Sequence, residues 1–177
     1  MEEKQHARRR KREALISLYE ESYSKIAQFI CVRVGNHHDA EDLASETFVK
    51  AIRALDSYQE RGLRMEAWLF KIARNLVIDH LRKTGNRHLV PLDEAAVTDS
   101  GNPETTVEMD MQADKIRQAM EYLTPIQKEV IYLRFFIGLS ALECSAIIGK
   151  TPGTVRVMQC SAIKSLRNVM GRGDRDE

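Results

Sequence analysis

The chain has 177 residues, 43% of them apolar, with 27 Lys and Arg against 26 Asp and Glu for a net charge of +1. That length suits one domain or two small ones. No run approaches the roughly eighteen apolar residues of a membrane span, and the charged N-terminus lacks the apolar stretch of a signal peptide. A cytoplasmic protein without membrane insertion is expected. The three cysteines, Cys31, Cys144 and Cys160, are far apart and show no CxxC spacing, which predicts buried thiols rather than a disulfide framework or a zinc site. The near-zero net charge hides an uneven distribution. No Lys or Arg falls between His88 and Lys115, while Asp93, Glu94, Asp99, Glu104, Glu108, Asp110 and Asp114 all do. Two basic blocks joined by an acidic strap result.

In chain order, residues 1–13 carry the run Arg8-Arg9-Arg10-Lys11-Arg12. This is a basic arm or the exposed start of a helix, able to touch phosphate or simply to be solvated. From Ala14 to about Val34, Leu15, Leu18, Tyr19, Tyr23, Ile26, Phe29 and Ile30 recur at helical spacing, and Gly35-Asn36 supplies a stop. A second helix is predicted from about Asp39 to Leu55, with Ala40, Leu43, Ala44, Phe48 and Ile52 inward. Its first two turns are crowded with carboxylates, which suit the helix dipole and leave an acidic outer face.

The polar stretch Asp56–Gly62 breaks the periodicity and reads as a loop. Met65–Lys83 resumes it, with Met65, Leu69, Ile72, Leu76 and Leu81 along one stripe and Trp68 and Val77 beside it. Lys71, Arg74, Asn75, Ile78 and Arg82 fall on another face, a strip of cations and amide close to an aromatic. Such a strip suits melted or duplex DNA, and it also suits an ordinary solvated helix. These helices make an all-α unit over residues 14–84.

Residues 85–112 lose all pattern and read as a flexible acidic linker. The second block, 113–172, begins with a short helix through Ile116, Ala119, Met120 and Leu123, stopped at Thr124-Pro125. The next helix places Ile126, Val130, Ile131, Leu133 and Phe136 on its stripe and ends at Gly138. Ser140 caps Ala141–Ile148, Gly149 ends it, and Thr151-Pro152 opens a last helix running through Val155, Ala162 and Leu166 to about Met170. A short helix, a glycine turn and a longer helix is helix-turn-helix spacing, shared by αα-hairpins that never touch DNA. Residues 173–177 are a tail.

DAEDLASETFVKAI, ARNLVIDHLRK, LTPIQKEVIYLRFFIGLS and GKTPGTVRV occur in that order over nearly the whole chain. Together they resemble an extracytoplasmic-function sigma factor of bacterial RNA polymerase, of the sigma-70 family. The resemblance implies two small helical domains, a σ2 bundle and a σ4 helix-turn-helix domain. It implies a transcription initiation factor that binds core polymerase, directs it to −10 and −35 promoter elements and promotes DNA opening. Asp39, Asp42, Glu46 and Phe48 would grip the clamp helices of the largest polymerase subunit, and the flap of the second-largest subunit would be a further contact. Tyr58, Gln59, Trp68, Lys71, Arg74, Asn75, Arg82 and Lys83 would take the −10 strand. Lys150, Thr151, Thr154, Arg156 and Gln159 would take the −35 element. An anti-sigma factor is an implied partner, and the acidic linker would thread toward the RNA exit path. No cofactor or metal is implied.

The last helix departs from the family pattern. Met158 and Ser161 replace expected arginines, Gln159 stands where a core leucine is usual, and Ile163 replaces a common basic residue. With Met158 in the stripe, Gln159 would point outward to read a base edge, since glutamine pairs well with adenine. Fewer cations predict weaker −35 binding. Alternatively Val157, Met158 and Ile163 form an apolar patch for a protein partner, or the interior simply rearranges. Ala141 and Leu142 likewise replace Tyr and Glu with apolar surface.

Other functions fit less of the chain. A helix-turn-helix regulator acting without polymerase leaves the first block unexplained, and a purely helical interaction module would be favoured by failure to bind any promoter DNA even with polymerase. His37-His38-Asp39 as metal ligands, or Asp79-His80 as an acid/base pair, lack supporting motifs, and adjacent helical residues diverge. No enzymatic activity is expected.

Overall fold

The chain forms two compact units, Met1–Ala96 and Val97–Glu177. The computed structural model describes residues 2–59, 62–85, 116 and 118–173, and every regular element among them is helical. The acidic stretch 85–112, the helix start near Ala113, Glu60 and Arg61 of the predicted loop, and the tail 173–177 lie outside the described residues, apart from Gly85 and Gly173.

The first unit is built on α1 (Glu2–Val34), α2 (His37–Ala54), a 3₁₀ turn (Leu55–Ser57) and α3 (Met65–Lys83). The basic arm is not separate from the first helix, which begins at Glu2 rather than Ala14. Its residues are mostly strong helix formers, and Arg9 pairs with Glu13 one turn on at 2.9 Å. Gly35, at φ 81°, closes α1 by donating its N–H to the Cys31 carbonyl at 2.9 Å, a left-handed terminus that needs no Cβ. Asn36 then caps α2, its side chain accepting from the Asp39 N–H at 2.8 Å.

The core is filled by Ile26, Phe29, Ile30 and Val34 of α1, Leu43, Ala44 and Phe48 of α2, and Leu69, Phe70, Ala73 and Val77 of α3, all buried. Phe29 meets Phe70 edge-on at 5.4 Å, and each such side chain contributes about 1.5–3 kcal/mol. Five expected stripe positions are corrected. Ile52 is 65% exposed, its place taken by Ala51 and Leu55, and Tyr19 is half exposed at the rim. On α3 the buried line runs through Leu69, Ala73, Leu76 and Val77 rather than Met65, Ile72 and Leu81. Small Ala73 lets the helix turn that face inward.

The second unit holds helical residues 118–121, α4 (Pro125–Ile131) continued by a π turn (Tyr132–Phe136), α5 (Ala141–Ile148) and α6 (Pro152–Gly173). Thr124–Gln127 and Ser140–Glu143 both form capping boxes, opening α4 and α5. The π turn adds a residue per turn, marked by Ile137 N–H donating to Tyr132 O at 3.1 Å. That slip overturns the expected inward place of Phe136, which is 62% exposed, and buries Ile137 and Leu139 instead. Leu123, Ile131 and Ala162 form a core cluster against which Met120, Ile163 and Leu166 pack. Gly149, left-handed at φ 76°, donates to Ser145 O and ends α5. Thr151 then caps α6 by accepting from the Thr154 N–H at 3.1 Å. The three residues Gly149–Thr151 between α5 and α6 make a helix-turn-helix.

Candidate functional site

Along α2 the outward positions run from acid to apolar to basic. Glu41, Asp42 and Glu46 are exposed in the first half, Val49 and Ile52 follow, and Lys50 and Arg53 close the helix. Asp42 lies 3.8 Å from His38, and Glu46 3.3 Å from Lys50, both pairs exposed and therefore worth little to stability. Asp39 is differently placed. It accepts from Asn36 Nδ2 at 2.9 Å and lies 3.3 Å from His80 Nε2 of α3, so it knits the α2 cap to α3.

Phe48, which the helical period places inward and the resemblance places on this surface, is buried, its ring 4.9 Å from Tyr19 and 6.1 Å from Tyr23. A ring one turn beyond Ala44 follows the buried stripe, and only its edge reaches the surface. There it floors a groove of about 660 Å³ whose sides include Ile16, Tyr19 and Ile52, with Arg8 and Arg12 at its rim. Sequence reading missed Val49 and Ile52 as surface. Counting helical angle from buried Ala44 and Ala51, rather than from hydrophobicity, would have found them.

The aromatic pair at the start of α3 is tightly made. Tyr58 is buried, donates its hydroxyl to Leu63 O at 3.3 Å and places its ring 4.9 Å from Trp68. Trp68 is half-buried and Gln59 exposed, so Tyr58 backs the surface while Trp68 and Gln59 form it. From there Lys71, Asn75, Ile78 and Arg82 are exposed along one face, with Lys83 at the helix end. Arg82 bonds Asp79 at 2.8 Å.

Arg74 departs from this strip. It is half-buried, and burial lowers its pKa. Arg33 of α1, itself lowered to about 10 by burial and then by the nearby Arg74 charge, lies beside it. Arg74 is therefore less open to solvent than Lys71 and Arg82 on the same helix, with the like charge of Arg33 near it. Lys50 and Arg53 of α2 add to the strip. They share a cleft of about 360 Å³ with Trp68, Ile72 and Asn75, joining two helices into one basic, aromatic surface.

In the helix-turn-helix, Lys150, Thr151 and Arg156 are exposed. Thr154 is half-buried, and its hydroxyl lies 2.8 Å from that of Thr151. Gln159 does not point outward. Its Oε1 accepts from Arg134 Nε at 2.9 Å, and Arg134 also donates to the Leu139 carbonyl. A glutamine in a leucine's place thus finds a polar partner inside the unit. Ile163 packs on the core and Met158 is half-buried, so of the supposed apolar patch only Val157, 69% exposed, fully faces out. Cys160 is exposed whereas Cys31 and Cys144 are buried, correcting the expectation of three buried thiols. Burial raises the Cys144 pKa to about 11. Lys164 and Arg167, not foreseen as site residues, continue the outward face from Arg156 and Cys160. Among the described residues, no group of three or more His, Cys, Asp or Glu could hold a metal ion, and no helix is long and apolar enough to cross a membrane.

Comparison with known proteins matches the Sigma-70 region 2 family over residues 18–87 and Sigma-70 region 4 over residues 113–166. The chain is 34% identical to the ECF RNA polymerase sigma factor BldN of Streptomyces coelicolor, over 86% of this chain and 59% of that protein. It is 32% identical to the ECF RNA polymerase sigma factor SigD of Mycobacterium tuberculosis, over 92% of this chain and 80% of that protein. Among solved structures, the sigma factor RpoE of Bartonella quintana, in complex with the anti-sigma factor NepR, superposes with a TM-score of 0.70 at 22% identity. It covers 90% of this chain and 98% of its own, a likeness of fold. With both sigma regions matched in order and a 32% identical relative covered over four-fifths of its length, this chain belongs to the ECF sigma factors of the sigma-70 family.

Proposed function

We propose that this sigma factor engages core polymerase chiefly through the outer face of α2 and promoter DNA through α3 and the helix-turn-helix. The single observation that carries the reading is the joining of Lys50, Arg53, Trp68 and Asn75 in one cleft beside the exposed strip Lys71–Arg82. A half-buried indole backed by Tyr58 offers a stacking surface to an unpaired base, and the cations track the strand's phosphates. Asp42 and Glu46, flanked by Val49 and Ile52, suit the clamp helices of the largest subunit, with charge setting register and apolar contact setting affinity. Phe135 and Phe136, both more than half exposed, are the apolar surface the second unit offers to the flap of the second-largest subunit. The protein acts in the cytoplasm, works through binding rather than catalysis, and takes an anti-sigma factor as a further partner.

The division of labour follows domains 14–84 and 113–172, joined by the acidic segment. A regulator acting without polymerase accounts for the second unit alone. The test is binding to purified core polymerase, followed by run-off transcription on fragmented genomic DNA. Binding with new start sites is expected, and those starts yield the −10 and −35 sequences. Absence of binding to core polymerase would overturn the reading.

A further inference from the structure

The basic arm at residues 8–12 precedes the matched sigma region, which starts at residue 18. In the folded chain it is the first part of α1, and two of its side chains, one turn apart, reach the turn that follows α2. Arg8 Nε lies 2.9 Å from Asp56 Oδ1. Lys11 Nζ donates to the Tyr58 carbonyl at 2.6 Å and stands 5.8 Å from the centre of the Tyr58 ring. The two attachments differ in weight. Both Arg8 and Asp56 are largely exposed, so that pair is screened. Lys11 is half-buried, and its bond joins a full charge to a carbonyl just beyond the C-terminal end of a helical turn, where the backbone is electronegative.

The other groups of Tyr58 are already engaged. Its N–H donates to Leu55 O at 3.2 Å, its hydroxyl to Leu63 O, and its ring meets Trp68. The carbonyl bonded by Lys11 sets the direction in which the chain leaves the turn toward Gln59. We propose that Lys11 is a positioning residue: it latches the N-terminal part of α1 onto the loop after α2 and holds the Tyr58–Trp68 pair ready for an unpaired promoter base. The arm thus acts on DNA through the loop rather than by touching phosphate. This rests on the proposed DNA-facing role of Trp68.

Trp68 is the chain's only tryptophan, so its fluorescence reports the loop directly. Lys11→Met keeps the aliphatic stem and removes the donors, Lys11→Arg keeps a donor, and Arg10→Ala removes a neighbouring exposed charge. In the full-length protein, Lys11→Met is expected to red-shift Trp68 emission and about double its quenching by acrylamide, since the ring loses part of its cover. On a promoter mapped by run-off transcription, it should lower open-complex formation about five- to tenfold, with core-polymerase affinity unchanged. Lys11→Arg should restore most of both signals, and Arg10→Ala should alter neither. Unchanged emission in Lys11→Met overturns the latch, and so does altered emission with undiminished opening. Trp68→Ala opening the promoter as well as the natural protein would instead sink the underlying role of the loop, whatever the emission of the Lys11 variants.

Discussion

The outer faces of α3 and α6 are both proposed to meet DNA, yet they treat their polar side chains in opposite ways. On α3, Lys71 and Asn75 stand exposed on a helix whose interior is almost wholly apolar, and Lys50 and Arg53 of α2 enlarge the same surface. On α6, the residue best suited to read a base, Gln159, is held by Arg134, while Ser161 accepts from Gln127 Nε2 at 3.1 Å and Thr154 is tied to Thr151. A polar group at a potential reading position either faces the ligand or holds the scaffold, and it rarely does both. The first unit separates the tasks by face, whereas the second gives scaffold work to side chains that composition alone assigns to recognition.

This contrast can be broken at several points. The largest effect is expected from Lys71→Glu with Arg82→Glu, which should weaken promoter complexes by roughly two orders of magnitude and flatten their salt dependence. Filter binding across a salt series checks it, and wild-type affinity would erase the distinction between the two faces. Arg134→Ala leaves the Leu139 carbonyl and Gln159 without their donor and should lower stability by about 2 kcal/mol. Urea titration of the variant measures that loss. Ser140→Ala removes the cap of α5 and should cost about 1 kcal/mol in the same assay. The smallest effect sharpens the comparison most. Gln159→Leu should leave base preference at the −35 element unchanged in a selection from randomised sequence, because Gln159 is scaffold. A changed preference would return Gln159 to the readers.

Much of this was legible in the sequence. Glycines and caps placed the starts of α2 and α6 and both ends of α5 within two residues, since cap chemistry is local. The acidic face of α2 and the strip on α3 followed from period alone. What failed needed tertiary information. Ile52 and Ile72 are as hydrophobic as core residues, but Ala51 and Ala73 allow closer helix approach and take their places. Phe136 was misplaced because the π turn shifts the register by about a third of a turn, which an even 3.6 period cannot anticipate. The half-burial of Arg74 next to Arg33 and the Arg134–Gln159 bond each depend on a neighbour from another element.

The exposed thiol on α6 has a practical consequence. Cys31 and Cys144 are buried, and Cys144, with its pKa near 11, stays protonated at the mildly alkaline pH used for alkylation, where thiolate is the reacting form. Cys160 is therefore a native attachment point for a DNA-cleaving reagent or a crosslinker, with no engineered residue needed. Cleavage positions around such a tether would chart which part of the double helix α6 approaches, nucleotide by nucleotide, before any promoter consensus is known.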